Sequence, residues 1–350
     1  MKTKSLKLIV SFILVLIASC DEPETVVTNI VHPDGSVTRR IEMKNMENKF
    51  TISKIQVPFD STWTVRDSLE FNEKGDTTWV KRAEKLFKNT AEINRDYLAD
   101  SGANKAVMRK ADFRKRFKWF NTEYRFAEIV DKSMLHGYPV SEFLNSEELQ
   151  WFYSPENIND EKRDGPDSLK YKALSDNVNK KVEDWTTRSI VSEWIGTFAD
   201  LTKNKVGDDM SESVLKAREN EFVAIITRNE KKFDSLWTSG QLLKEFIGES
   251  NALKYKAEAD TSVQIVTERC FVSFSNYIQR TGMPGKLIGT NGFIDSSGLI
   301  LWPVKSDYFQ TEPYEMWAES KTPNNWAWIG TGFFLLFVMA GVIFRVIKKS

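Results

Sequence analysis

Two charge-free, mostly apolar runs bracket the chain, Leu8–Ile17 near its start and Trp326–Phe344 near its end, and the residues between them mix polar and apolar positions throughout. In a helix the first run spans about 15 Å, half a hydrocarbon core, whereas the second spans about 28 Å, close to the full thickness. The second run holds no charge. Trp326 and Trp328 stand at its entry, and Arg345, Lys348 and Lys349 stand at its exit. Aromatic rings at one interface and cations at the other predict a transmembrane helix over 326–345, with the tail 346–350 on the cytoplasmic side.

The shorter run follows Lys2, Lys4 and Lys7 and leads into Ile17-Ala18-Ser19-Cys20. A positive region, a short apolar stretch and small residues before a cysteine read as a lipoprotein signal peptide over 1–20. Its cleavage would leave Cys20 carrying acyl chains of the palmitate class. Asp21, directly after that cysteine, is similar to an inner-membrane retention signal. Together the ends predict an exported body, 21–325, held at both termini on the periplasmic or extracytoplasmic side of the inner (plasma) membrane.

Within the body, Val-rich alternation on either side of His32-Pro33-Asp34-Gly35-Ser36 predicts a hairpin. A further strand is expected over 50–57, then a pair over 61–71 and 77–83 split by Asn72–Asp76. A helix is expected over 83–100, and one long aromatic strand over 113–130. A polar Pro/Gly loop covers 154–170. Beyond it, Val178, Val182, Trp185, Ser189, Trp194 and Phe198 approximate helical spacing, a second helix is expected over 211–237 with Ser211 as its N-cap, and 241–247 continues helical. Strands return at Thr261, including 263–278 and a pair turning at Asp295–Gly298. The expected class is α+β: one antiparallel sheet built from strands of 25–82 and 261–317, with a helical insertion over about 170–250. Short links to both anchors place the start of the first strand and the end of the last near one membrane surface.

Composition narrows the chemistry. The chain carries 49 basic and 49 acidic residues, but six of the bases and none of the acids lie in the two ends, so 21–325 has a net charge of −6. That balance argues against nucleic acid as a partner. Cys270 stands alone once Cys20 is acylated, so neither a disulfide framework nor a cysteine-pair metal site is expected.

The segment MPGKLIGTNGFIDSSGLILW, followed by YEMWAES and the final helix, resembles the end of the mycobacterial LppM-type lipoproteins. The matching residues are Pro284, Gly285, Thr290, Asn291, Gly292 and Trp302. The resemblance implies a β-rich exported domain and contact with lipids or glycolipids, and it brings no catalytic residue.

His32 and His136 sit in turn or loop sequence, and no His-Glu-x-x-His, Gly-x-Ser-x-Gly or Walker loop occurs. No cofactor or metal is expected. Six cations among Arg109–Lys118 suit either a charged strand edge or anionic headgroups. Most of the nine tryptophans before Trp326 are expected in the core. The sequence therefore points to a non-enzymatic binding or structural module for membrane lipids, a glycan or a membrane protein. The alternative is an envelope-polymer hydrolase working through paired carboxylates; acids such as Asp184 and Glu193 or Glu315 and Glu319 are plentiful, but the sequence nominates no pair as acid and base.

Overall fold

The computed structural model describes residues 23–71, 77–154, 167–203 and 210–348. Cys20 and the Asn72–Asp76 turn lie outside the described residues. The chain opens with the hairpin β1 (Glu24–Val31) and β2 (Val37–Asn45). Strict alternation buries Thr25, Val27, Asn29 and Val31 on one face of β1, and Gly35 takes φ +93° in the turn. The pair β3 (Thr64–Phe71) and β4 (Thr77–Phe87) follows, then α1 (Thr90–Leu98), whose first turn is capped by Asn89. Next come β5 (Arg109–Lys118) and β6 (Asn121–Val130).

The helical part runs through α2 (Ser146–Phe152), α3 (Asp167–Thr202), α4 (Glu212–Ala217), α5 (Glu219–Asn229), α6 (Phe233–Thr238), α7 (Gln241–Ile247), α8 (Glu249–Lys254) and α9 (Lys256–Cys270). Strands resume with β7 (Tyr277–Gly282), β8 (Lys286–Thr290), β9 (Phe293–Ile294), β10 (Ile300–Val304) and β11 (Tyr314–Pro323), and α10 (Asn325–Ile347) ends the described chain.

The architecture is α+β, with a mixed sheet, an antiparallel sheet, a helical insertion and one apolar C-terminal helix. The larger sheet has the order β3-β4-β2-β1-β7-β10-β9, and the smaller has the order β5-β6-β11-β8. N- and C-terminal strands share the larger sheet, as expected, through the parallel pair β1–β7. The expectation of a single antiparallel sheet is corrected on two counts. That pair is parallel, and β11 with β8 joins β5 and β6 in a separate sheet. The two sheets enclose one core that includes Val27, Ile41, Phe87, Phe126, Trp302 and Met316.

The insertion occupies everything between β6 and β7, well beyond 170–250. Its own core gathers Trp194, Phe198, Phe222, Trp237 and Phe246. The helix α3 serves both cores: Val178 and Trp185 pack with the sheets, and Val191 to Phe198 pack with the helices.

Several local expectations yield to packing. The aromatic stretch 113–130 is two strands, because the chain reverses at Trp119-Phe120 without glycine or proline. The segment 261–270 belongs to α9: Ala259, Val263, Val266 and Cys270 are buried at helical spacing, and that face outweighs the β-branched composition. The strand β4 continues to Phe87, so α1 starts at Thr90 rather than near Ala83. Residues 52–54 form a single 3-10 turn within the expected strand 50–57. The helix expected over 211–237 is broken into α4, α5 and α6. Ser211 occupies the N-cap of α4 without a side-chain cap bond and meets Ser213 instead.

Strand directions also fix which ends of the molecule lie together. The β5–β6 turn, the end of β11 and the start of β8 share one end of the smaller sheet, here called the base, where α10 departs. Gly282 connects through Met283-Pro284-Gly285 to β8 at the base, and β1 runs parallel to β7, so β1 ends toward the base and begins at the far end. Gln56 marks that far end: its Nε2 donates to the Pro23 carbonyl (2.9 Å), and its own carbonyl accepts from Arg109 Nη1 (3.2 Å). The start of β1 and the end of β11 therefore lie at opposite ends of the sheets.

Candidate functional site

The base carries the most distinctive surface. The tip of the β5–β6 hairpin exposes Phe117, Trp119 and Phe120 beside the first turn of α10, whose Trp326 and Trp328 are 58% and 57% exposed. Phe117 stacks on Trp326 (6.2 Å between centroids, 8° between planes), Trp119 meets the same ring edge-on at 5.3 Å, and Phe120 lies 4.3 Å from Trp328. Trp119 Nε1 donates to Thr331 Oγ1 (3.0 Å).

Asn324 ties the joint together. Its side-chain amide donates to the carbonyls of Lys118 and Trp119 (2.7 and 3.2 Å), its Oδ1 accepts from Thr122 Oγ1 (2.9 Å), and its backbone N–H donates to the Phe120 carbonyl (2.9 Å). No loop separates β11 from α10, so the hairpin clasps the helix directly. The helix is 23 residues long, and its most apolar 18-residue stretch has mean hydropathy 2.2 and is only 6% buried, long and apolar enough to cross a membrane. Such rings prefer the interfacial depth of a bilayer. The hairpin half of this clasp was missed from sequence; the exposed run Phe117-Lys118-Trp119-Phe120 was its signal.

Of the turn residues, Thr290, Asn291, Gly292 and Trp302 are brought together beyond the end of β8, whereas Pro284 and Gly285 lie at the base, at its start. Asn291 Oδ1 accepts from Trp302 Nε1 and from the Trp317 N–H (both 3.0 Å), and its Nδ2 donates to the Glu315 carbonyl (2.6 Å). Thr290 Oγ1 donates to the Trp317 carbonyl (2.8 Å). A Cβ on Gly292 would come within 2.5 Å of the Trp302 ring, and one on Gly285, at φ +76°, within 2.4 Å of the Lys321 carbonyl. Thr290, Asn291, Gly292 and Trp302 close the corner where β8 turns toward β10, and Gly285 packs on the end of β11 at the base. The same four residues also line a cleft of about 540 Å³, whose opposite wall is Leu149, Gln150 and Tyr153 at the end of α2. Tyr153 stacks on Tyr314 (5.7 Å, 8°), and burial pushes the Tyr153 hydroxyl up to about 12, so it stays protonated at neutral pH.

Glu128, Glu193 and Glu219 are buried carboxylates committed to bases and donors, whereas burial raises the Asp307 carboxyl above its usual range. Glu128, between the sheets, takes the Arg39 guanidinium, the Tyr97 hydroxyl (2.5 Å) and Asn29 Nδ2 (2.8 Å), and burial raises the Tyr97 phenol well above its usual range. Glu193 on α3 accepts from the N–H groups of Leu135 and His136 (2.8 and 2.6 Å) and from Arg269 (2.9 Å). Glu219 accepts from the Tyr138 hydroxyl (2.6 Å), which Lys216 also approaches. Asp184 pairs with Arg188, away from Glu193, while Glu315 and Glu319 both grip Arg125. None of these arrangements leaves a carboxyl pair poised as acid and base.

His136 packs on Gly196 and has the carboxylates of Asp200 and Glu212 at 3.8 and 3.9 Å; His32 bonds Thr38 Oγ1 at 2.9 Å within its hairpin. Cys270 is buried at the end of α9, and burial pushes its thiol above the ordinary range, which keeps the nucleophilic thiolate scarce. Among the described residues, no group of three or more histidine, cysteine or carboxylate side chains is placed to hold a metal ion.

No family model and no curated protein matches this sequence. Among solved structures, the NMR structure of the folded domain of Mycobacterium tuberculosis LppM is similar at 10% identity and a TM-score of 0.26, over 87% of this chain and 92% of that one. This is a weak resemblance at the level of fold, and the roles of the turn residues rest on their own contacts.

Proposed function

We propose that this chain is an envelope lipoprotein anchored twice, by acyl chains on Cys20 and by α10, whose body works as a non-enzymatic binding or structural module on the extracytoplasmic side of the inner membrane. The observation that carries this reading is the aromatic clasp. A domain joined to its helix through stacked rings and Asn324, with no intervening linker, has a working range limited to the membrane surface. Lipid headgroups, membrane-associated glycans and exposed parts of membrane proteins lie in that range. The cleft between Tyr153 and Asn291 offers aromatic walls to such a ligand. The engagement of Glu128, Glu193 and Glu219 by cations and donors favours the binding reading over the hydrolase alternative.

Labelled palmitate should enter the wild-type protein, and Cys20→Ala should abolish that label and leave a heavier, still membrane-bound precursor. Protease added to spheroplasts should digest the body and spare a fragment of a few kilodaltons containing α10. Failure of the label overturns the lipid anchor, and protection of the whole chain overturns the orientation. Crosslinking in intact membranes, with and without Tyr153→Ala, tests the cleft: a captured species that persists unchanged in the variant does not bind there.

A further inference from the structure

The strand β5 joins the two proposed anchors. Its first residue, Arg109, bonds Gln56, which in turn holds Pro23, three residues after Cys20. Its last residue, Lys118, lends its carbonyl to Asn324 at the foot of α10. Ten extended residues separate these ends by roughly 30 Å, while the link from Cys20 to Glu24 reaches at most about 14 Å. If the domain stood upright on α10, the acyl chains could not reach the bilayer that holds the helix.

We infer that the body lies on its side, with the β5 edge of the smaller sheet against the anionic headgroups of the membrane that α10 enters. This rests on the double-anchor reading above. The surface chemistry of that edge fits the occupant. Arg109 is buried against Asp100 and is structural, but Lys110, Arg114, Lys115, Arg116 and Lys118 are all exposed. Lys110 and Arg116 make no ion pair among the described residues. Arg114 pairs with Asp112 (2.8 Å), Lys118 with Glu123 (2.5 Å), and Lys115 donates to the Pro33 carbonyl (2.9 Å). Asp112 and Glu123 offset two of these five cations, and Glu315 and Glu319 lie two strands away on β11. Exposed apolar side chains flank the cations at both ends: Leu98 and Met108 (73% and 60% exposed) at the far end, and Phe117 and Trp119 at the base. Cations framed by apolar side chains match the headgroup and upper acyl layers of an anionic bilayer.

The test uses the full-length, processed protein in vesicles of phosphatidylglycerol and phosphatidylcholine carrying a headgroup quencher, with a fluorophore on a single introduced cysteine. Sites are Lys110→Cys and Arg116→Cys on β5, and Ile288→Cys on β8, the opposite edge of the same sheet; buried Cys270 stays as it is. The inference expects similar strong quenching at 110 and 116, several-fold weaker quenching at 288, and a loss of contrast in pure phosphatidylcholine. Quenching at 116 without quenching at 110, which lies roughly 20 Å farther from the base, would mean an upright domain and overturn it. Equal quenching at 110 and 288 would overturn it as well. Intact mass reports acylation of Cys20 separately, so a lipid-free protein refutes the double anchor, while an acylated protein with a dark 288 and an unquenched 110 refutes only the orientation.

Discussion

Single side chains carry much of this structure through buried polar contacts. Arg39 and Glu128 are 2% and 3% exposed, and the pair is completed by Tyr97 and Asn29. Removing one partner strands the other charge away from water, so Glu128→Ala should cost about 3–5 kcal/mol. Arg39→Met combined with Glu128→Leu should cost less than that single change, because no buried charge is left unpaired and only the neutral Tyr97 and Asn29 groups lose partners. Denaturant midpoints of the three proteins check the order. Gly292 is a second such position. With the Trp302 ring 2.5 Å from where a Cβ would stand, Gly292→Ala should destabilise by about 1–3 kcal/mol, seen as a lowered thermal midpoint.

At the level of elements, α2 shows how a short helix is held in place. Asn145 accepts from the N–H groups of Glu147 and Glu148, and the Glu148 carboxylate returns to the Asn145 N–H. Asn145→Ala should cost about 1 kcal/mol. Glu148 also takes Lys181 (2.7 Å) and Asn177 (2.6 Å) from α3, and the Lys181 ammonium leads in holding this carboxyl below its usual range. A carboxyl with a depressed folded-state value adds stability above the ordinary glutamate range and loses it as pH falls from that range through the lower folded-state value. Between about pH 6 and pH 3, Glu148→Gln should therefore lose less stability than the wild type, read as the change in thermal midpoint.

For the whole molecule, the long helix α3 decides how the parts behave together. Trp185 packs with Phe152 beside the sheets and donates to the Tyr138 carbonyl (2.7 Å), while Trp194, further along the same helix, centres the helical core. Sheets and insertion should then unfold in one cooperative transition. Trp185→Ala should lower that single transition by about 3–5 kcal/mol, and a split into two transitions would show independent units. At the base, Trp119→Ala with Phe120→Ala should leave the circular dichroism unchanged yet raise protease cleavage near Lys321 several-fold in membrane-embedded protein, because the rings, not a linker, hold the domain to α10.

What the amino-acid order determined alone is what depends on local pattern. The apolar length of α10, the Pro-Asp-Gly hairpin of β1 and β2, the turn at Asp295–Gly298 and the helical character of the middle were legible because period, charge and turn chemistry act over a few residues. Tertiary structure decided the rest. The stretch 261–270 has β-branched residues but is helical, since Val263, Val266 and Cys270 bury one face against α3. The reversal at Trp119-Phe120 has no turn residue to announce it and is held by α10, more than two hundred positions away. The parallel pairing of β1 with β7 set the start of the first strand opposite the foot of the helix, a matter of strand direction that no local signal encodes. Strand direction, unlike strand identity, is fixed only when distant segments compete to bury the same backbone edges, and that competition placed the cations of β5 between the two ends of the body.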